Sequence, residues 1–133
     1  MVKVGVIGCG HWGPNHIRIF DQMPNSQSVM CADVDEARLA AVKRSFPDIQ
    51  TTTDYRQLLA SPDVDAVCIA APTNTHYQLA KAALSAGKHV LCEKPLSLEP
   101  DESRELDALA KKAKRVLMVG HVFVFNNGIV KLK

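Results

Sequence analysis

Neither sign of charge dominates this chain of 133 residues: sixteen lysines and arginines stand against fourteen acids, a formal charge of +2. So close a balance gives no broad field to draw in nucleic acid or an anionic membrane surface, and neither is an expected partner. Long apolar runs are missing too. The first, Val4 to Ile7, is ended at once by glycine, far short of a secretory core or a membrane span. Cysteine occurs only as Cys9, Cys31, Cys68 and Cys92, with no Cys-x-x-Cys spacing and no Cys–His cluster suited to zinc. All four fall within or directly after apolar runs, so they are expected as reduced core residues, with no metal site and a cytoplasmic setting. Internal repeats, low-complexity tracts and interdomain linkers are absent as well. A hydrophobic content of 47% is enough for one compact domain over residues 1–133 and too little for two.

What is present is an alternation of short β-branched runs with longer helical stretches, the pattern of a parallel sheet with crossover helices. Strands are expected at Lys3–Ile7, Ser28–Ala32, Thr51–Thr53, Ala66–Ala70, His89–Cys92 and Val116–Val119. Between them, Gly13, Ile17 and Phe20 recur at helical spacing, as do Leu106, Leu109, Ala110 and Ala113. Asp35 and Asp54 stand where helix caps belong, Asn74 opens a further helix, and Gly87 falls where a left-handed C-terminal cap is needed. The expected fold is α/β, a doubly wound parallel sheet of the Rossmann type in three layers, helix–sheet–helix.

Glycine is scarce, seven in all, yet three fall in Gly8-Cys9-Gly10-His11-Trp12-Gly13, a complete G-x-G-x-x-G between the first strand and the first helix. In such a turn the first glycine makes the bend, the second lets backbone approach a pyrophosphate, and the third lets helix and strand pack closely. The amides from His11 and Trp12 onward then face the phosphates, where the helix dipole also favours negative charge. Asp33 follows Gly13 by twenty residues and ends the second strand, where a carboxylate can accept from both hydroxyls of an adenosine ribose. A 2′-phosphate would meet the charges of Asp33 and Asp35 with no arginine directly after them, so NAD is expected over NADP. In a parallel sheet Ala71-Pro72-Thr73-Asn74, Glu93-Lys94-Pro95 and Gly120-His121 emerge on the same edge as the glycine turn, within reach of the nicotinamide half.

These residues also resemble the Gfo/Idh/MocA oxidoreductases, which include glucose–fructose oxidoreductase and inositol dehydrogenase. Gly8 to Asn15 (GCGHWGPN), Ala71 to His76 (APTNTH), Ala86 to Pro95 (AGKHVLCEKP) and Val119 to Phe125 stand in that family's order over nearly the whole chain. The resemblance implies hydride transfer between nicotinamide and a hydroxyl-bearing carbon, usually of a sugar, cyclitol or sugar nucleotide. It implies that Lys94 lies beside the reacting hydroxyl, orients substrate and assists proton transfer. Ala71, Pro72, Thr73, Asn74 and Glu93 would line the cofactor, and His76 and His121 could border the site. The family adds a second α/β domain carrying the substrate sheet and a catalytic histidine, so this stretch is expected to be the cofactor half, dinucleotide-binding but inactive alone.

Two other patterns carry less. Tyr77-Gln78-Leu79-Ala80-Lys81 matches the Tyr-x-x-x-Lys of short-chain dehydrogenases, but that family's Gly-x-x-x-Gly-x-Gly turn is absent. Lys111, Lys112, Lys114 and Arg115 read as a solvated face at a helix end. The alternative function is a non-catalytic dinucleotide-binding or sensing module; a Rossmann-like methyltransferase has no use for Glu93-Lys94-Pro95. An apolar patch is expected where a second domain would pack, and with it self-association.

Overall fold

In the computed structural model, which describes residues 1–122 and 131, the six expected strands lie side by side and parallel. They are β1 (Val2–Ile7), β2 (Ser26–Ala32), β3 (Gln50–Thr52), β4 (Ala66–Ile69), β5 (His89–Glu93) and β6 (Leu117–Gly120), in the spatial order β3-β2-β1-β4-β5-β6. The order reverses between β1 and β4, which leaves a crevice beyond their carboxyl ends. Crossovers are made by α1 (Gly13–Gln22), α2 (Glu36–Ser45), α3 (Tyr55–Ala60), α4 (His76–Ser85) and α5 (Pro100–Ala113). The expected α/β, doubly wound, three-layer architecture is what forms. No described helix is long and apolar enough to cross a membrane.

Strand alternation divides the core. Val67 and Ile69 of β4 join Leu58, Ala80, Leu84 and Leu106 on the face covered by α3, α4 and α5, whereas Cys68 joins Val6, Ile17, Cys31 and Val42 under α1 and α2. A strand buried on both faces reads as one apolar run, which is why Ala66–Ile69 shows no polar alternation. All four cysteines are buried free thiols. Burial pushes the Cys68 thiol up and that of Cys92 to about 12, so both remain protonated core groups.

The two helix layers are unequal. Beyond α1 the sheet face formed by β4, β5 and β6 bears an apolar groove of about 350 Å³ bordered by Val4, Phe20, Cys68, Leu91, Val116 and Met118. Val116 is 61% exposed and Met118 48%, so this groove is open to solvent.

Local signals set most boundaries. Asp35 accepts from the amides of Ala37 and Arg38, and Asp54 from that of Arg56, as helix caps should. Gly87 takes the left-handed conformation at φ 76°, while α5 ends on a non-glycine in that region, Lys114 at φ 54°. Each strand differs from expectation by one or two residues at an end, and one helix starts later. The helix expected from Asn74 begins at His76, because a single 3₁₀ turn over Thr73–Thr75 is tied to the Pro72 carbonyl by the amide and hydroxyl of Thr75. Strand β2 starts at Ser26, and β5 runs on to Glu93 because Gly120 of β6 lies opposite it. The last three residues of the Val119–Phe125 stretch lie outside the described residues.

Leu58 is fully buried and closes over Gly5, where an added Cβ would stand 2.7 Å from its Cδ2. Leu58→Ala should cost about 2–5 kcal/mol in urea denaturation. Asp35→Ala, which removes only a cap, should cost about 1 kcal/mol. Equal losses in the two variants would contradict this division between core and cap.

Candidate functional site

The glycine turn is built around two close approaches. A Cβ on Gly13 would lie 2.0 Å from the Gly8 carbonyl oxygen, and one on Gly8, at φ 96°, would lie 2.6 Å from the Ala70 carbonyl. These two glycines bring the start of α1 against the ends of β1 and β4. Gly10 differs: nothing lies nearer its Cβ position than Arg38 Nη1 at 3.9 Å. No contact among the described residues requires glycine there, so the open space above it is where a ligand could approach bare backbone.

Beside that space, α1 has no side-chain cap and no acidic residue in its first turn, although α2 and α3 are both aspartate-capped. Its first amides are left for an external anion, with the helix dipole in support. His11 and Trp12 are exposed at this turn, their rings edge to face at 5.2 Å. The donor set and the open approach suit a pyrophosphate.

Asp33 marks the other end of the crevice. Its carboxylate, 6% exposed, accepts from the Cys9 amide at 2.7 Å and the Asp35 amide at 2.8 Å, tying the glycine turn to the end of β2. Each oxygen retains a lone-pair direction for a further donor. One expectation is corrected here. No arginine follows Asp33 directly, but the first turn of α2 carries Arg38 back, its Nη1 3.7 Å from Asp33 and its Nε 3.6 Å from Asp35. Helical spacing supplies the cation that adjacency did not, so the charge argument against a 2′-phosphate is weaker than the linear sequence suggests.

Gly8, Asp33, Val34, Arg38, Tyr55 and Ala71 border a cleft of about 310 Å³. A larger hollow, about 810 Å³, lies at the opposite edge of the sheet between the far ends of α1 and α2, away from the glycine turn. Size therefore does not mark the site; the position of the turn does.

On the other side of β1, three segments meet the same edge. Pro72 and Asn74 are exposed and Thr73 is half-buried in the 3₁₀ turn, Lys94 is exposed just beyond β5, and exposed His121 follows β6. Lys94 makes no ion pair among the described residues, and its peptide bond to Pro95 is cis. Two side chains are turned differently from expectation. The His76 ring, in a residue 1% exposed, places Nδ1 2.7 Å from the Pro95 carbonyl and Nε2 2.8 Å from that of Ala71, so it is occupied by backbone rather than offered to a cofactor. Glu93 turns its carboxylate toward α1, with Oε1 2.7 Å from His16 Nε2. His16, three residues after Gly13, was not singled out by motif or spacing.

The Tyr-x-x-x-Lys pattern is accounted for elsewhere. Tyr77 donates to Glu105 at 2.6 Å, and Lys81 donates to Glu105 at 2.6 Å and to Tyr77 at 3.1 Å, joining α4 to α5 on the outer face. The Glu105 carboxylate and Tyr77 raise the Lys81 pKa, which suits an ion pair and not a base. No group of three His, Cys, Asp or Glu among the described residues could hold a metal.

Sheet order, glycine turn and terminal aspartate together define a dinucleotide-binding Rossmann domain. A family model described as an oxidoreductase family with an NAD-binding Rossmann fold matches residues 2–121, and the chain belongs to this Gfo/Idh/MocA family. It is 35% identical over 132 residues to the myo-inositol 2-dehydrogenase of Thermotoga maritima, covering 99% of this chain and 40% of that protein. Among solved structures, a probable dehydrogenase from Thermotoga maritima superposes with a TM-score of 0.91 at 34% identity, covering 98% of this chain and 39% of that one. A biliverdin reductase from Synechocystis, in complex with biliverdin and NADP+, superposes with a TM-score of 0.89 at 31% identity, covering 93% and 39%. The chain spans about two fifths of the length of the curated relatives it matches.

The glycines make separable predictions. Gly10→Ala should change stability by less than about 0.5 kcal/mol, since the added methyl meets open space, yet abolish dinucleotide binding. Gly13→Ala should lower the melting temperature sharply or prevent folding. Calorimetry with a cofactor titration distinguishes them, and retained binding by Gly10→Ala would contradict the assignment.

Proposed function

We propose that this chain is the cofactor-holding part of a dehydrogenase acting on a hydroxyl-bearing carbon of a sugar, cyclitol or sugar nucleotide, with NAD preferred over NADP. The observation that carries the reading is the open approach to Gly10, set between the uncapped start of α1 and the carboxylate of Asp33. The amides of the turn hold the pyrophosphate, and Asp33 accepts from the adenosine ribose through its remaining lone pairs. Pro72, Thr73 and Asn74 border the nicotinamide ribose, with Glu93 set behind them by His16. The nicotinamide, when bound, exchanges the hydride. Lys94, without an ion pair among the described residues, orients the substrate hydroxyl and carries its proton. A myo-inositol 2-dehydrogenase among the relatives supports a polyol as the substrate class.

NAD is favoured because a 2′-phosphate would meet two carboxylates, Asp33 and Asp35, against the single guanidinium of Arg38. Titration with NADH, followed by its fluorescence, should saturate; no saturable change at millimolar cofactor overturns the proposal. NADPH should bind more weakly. Arg38→Ala should weaken NADPH further, by about 1–3 kcal/mol relative to NADH, as expected for a charged hydrogen bond.

A further inference from the structure

Lys94 sits at a point the sheet does not control. The β4–β5 ladder ends at Ile69 opposite Cys92, and the β5–β6 ladder ends at Glu93 opposite Gly120. Lys94 and Pro95 therefore begin a loop with no ladder partner on either side. The residue before Lys94 and the residue after it are nonetheless each held by a histidine from a different helix.

His16 of α1 contacts the Glu93 carboxylate at 2.7 Å, with the two side chains 16% and 21% exposed. Phe20, one turn along α1, lies beside the His16 ring, with centroids 6.4 Å apart and planes 27° apart. His76, at the start of α4, spans the gap past the end of the β4–β5 ladder, touching the Ala71 carbonyl with one nitrogen and the Pro95 carbonyl with the other. Both partners are carbonyl acceptors, so a neutral ring donates its single N–H to one of them and only lies against the other; an apolar residue of similar volume would fill the space without joining the two loops. Both helices open at the crevice.

We infer that His16 and His76 are positioning residues for Lys94. His16 holds the carboxylate just before it, and His76, as the Nδ1–H tautomer, donates to the carbonyl just after it, so the ammonium is presented from a backbone fixed at both sides. This rests on the reading of Lys94 as the substrate-facing group. Through His16 the same helix that offers amides to the phosphates also sets the lysine, so phosphate site and reacting side share one rigid element.

The test is competitive labelling of lysine amines in the cofactor-free chain, read by mass spectrometry, with exposed Lys111 and Lys112 as internal references. In the wild-type chain Lys94 should react at a rate distinct from the references. His16→Leu should shift that rate toward theirs by a factor on the order of three, leaving Lys111 and Lys112 unchanged, and His16→Gln, which can still donate to Glu93, should restore it. His76→Gln should act in the same direction; should that buried variant fail to fold, the His16 pair decides alone. A wild-type Lys94 rate equal to the references, or one unaltered in a folded His16→Leu chain, overturns the inference. NADH titration of the wild-type chain is separate: its failure removes the proposed function and leaves the labelling result standing.

Discussion

The contact between Gly8 and Gly13 governs where everything else can be. With the Gly13 Cα packed against the Gly8 carbonyl, and Gly8 in turn against Ala70, the first helix starts directly over the reversal point of the sheet. A side chain at either position would push α1 outward. Its free amides would then face solvent rather than the crevice, and His16, one turn in, would lose its reach to Glu93. The turn therefore acts on both halves of the site: on the phosphate side through backbone, and on the lysine side through one side chain.

Asp33 illustrates how a residue can serve structure and ligand together. Two backbone amides occupy one lone-pair direction on each oxygen, which fixes the carboxylate plane before any ligand arrives. A preorganised acceptor loses little entropy on binding, so its remaining lone pairs are better placed for ribose hydroxyls than those of a free surface aspartate. Arg38 adds a cation at half-exposed distance from both Asp33 and Asp35. It moderates the local negative potential without forming a close bidentate pair, and its 53% exposure leaves it solvated.

The two helix layers cover the sheet unequally among the described residues. This chain corresponds to about two fifths of its relatives' length, and its sheet keeps one apolar face over β4, β5 and β6 only partly covered. Met118 of the edge strand β6 and Val116 just before it contribute to that face. The core beneath α3, α4 and α5 is complete by contrast, with Leu58, Leu84 and Leu106 essentially inaccessible.

Element order, the glycine turn, the caps at Asp35 and Asp54 and the left-handed Gly87 were legible in the residues because each depends on neighbours within about one turn of chain. Strand ends were less so, since Glu93 belongs to β5 only because Gly120 comes to lie beside it. The contacts that finish the site were not legible at all. His16 meets Glu93 across 77 residues, and His76 bridges two carbonyls of which one, that of Pro95, is 19 residues away. No periodicity encodes such separations: they exist because parallel pairing gathers the carboxyl ends of all strands at one edge. Sequence determined what each segment is, and the closing of the sheet decided which segments touch.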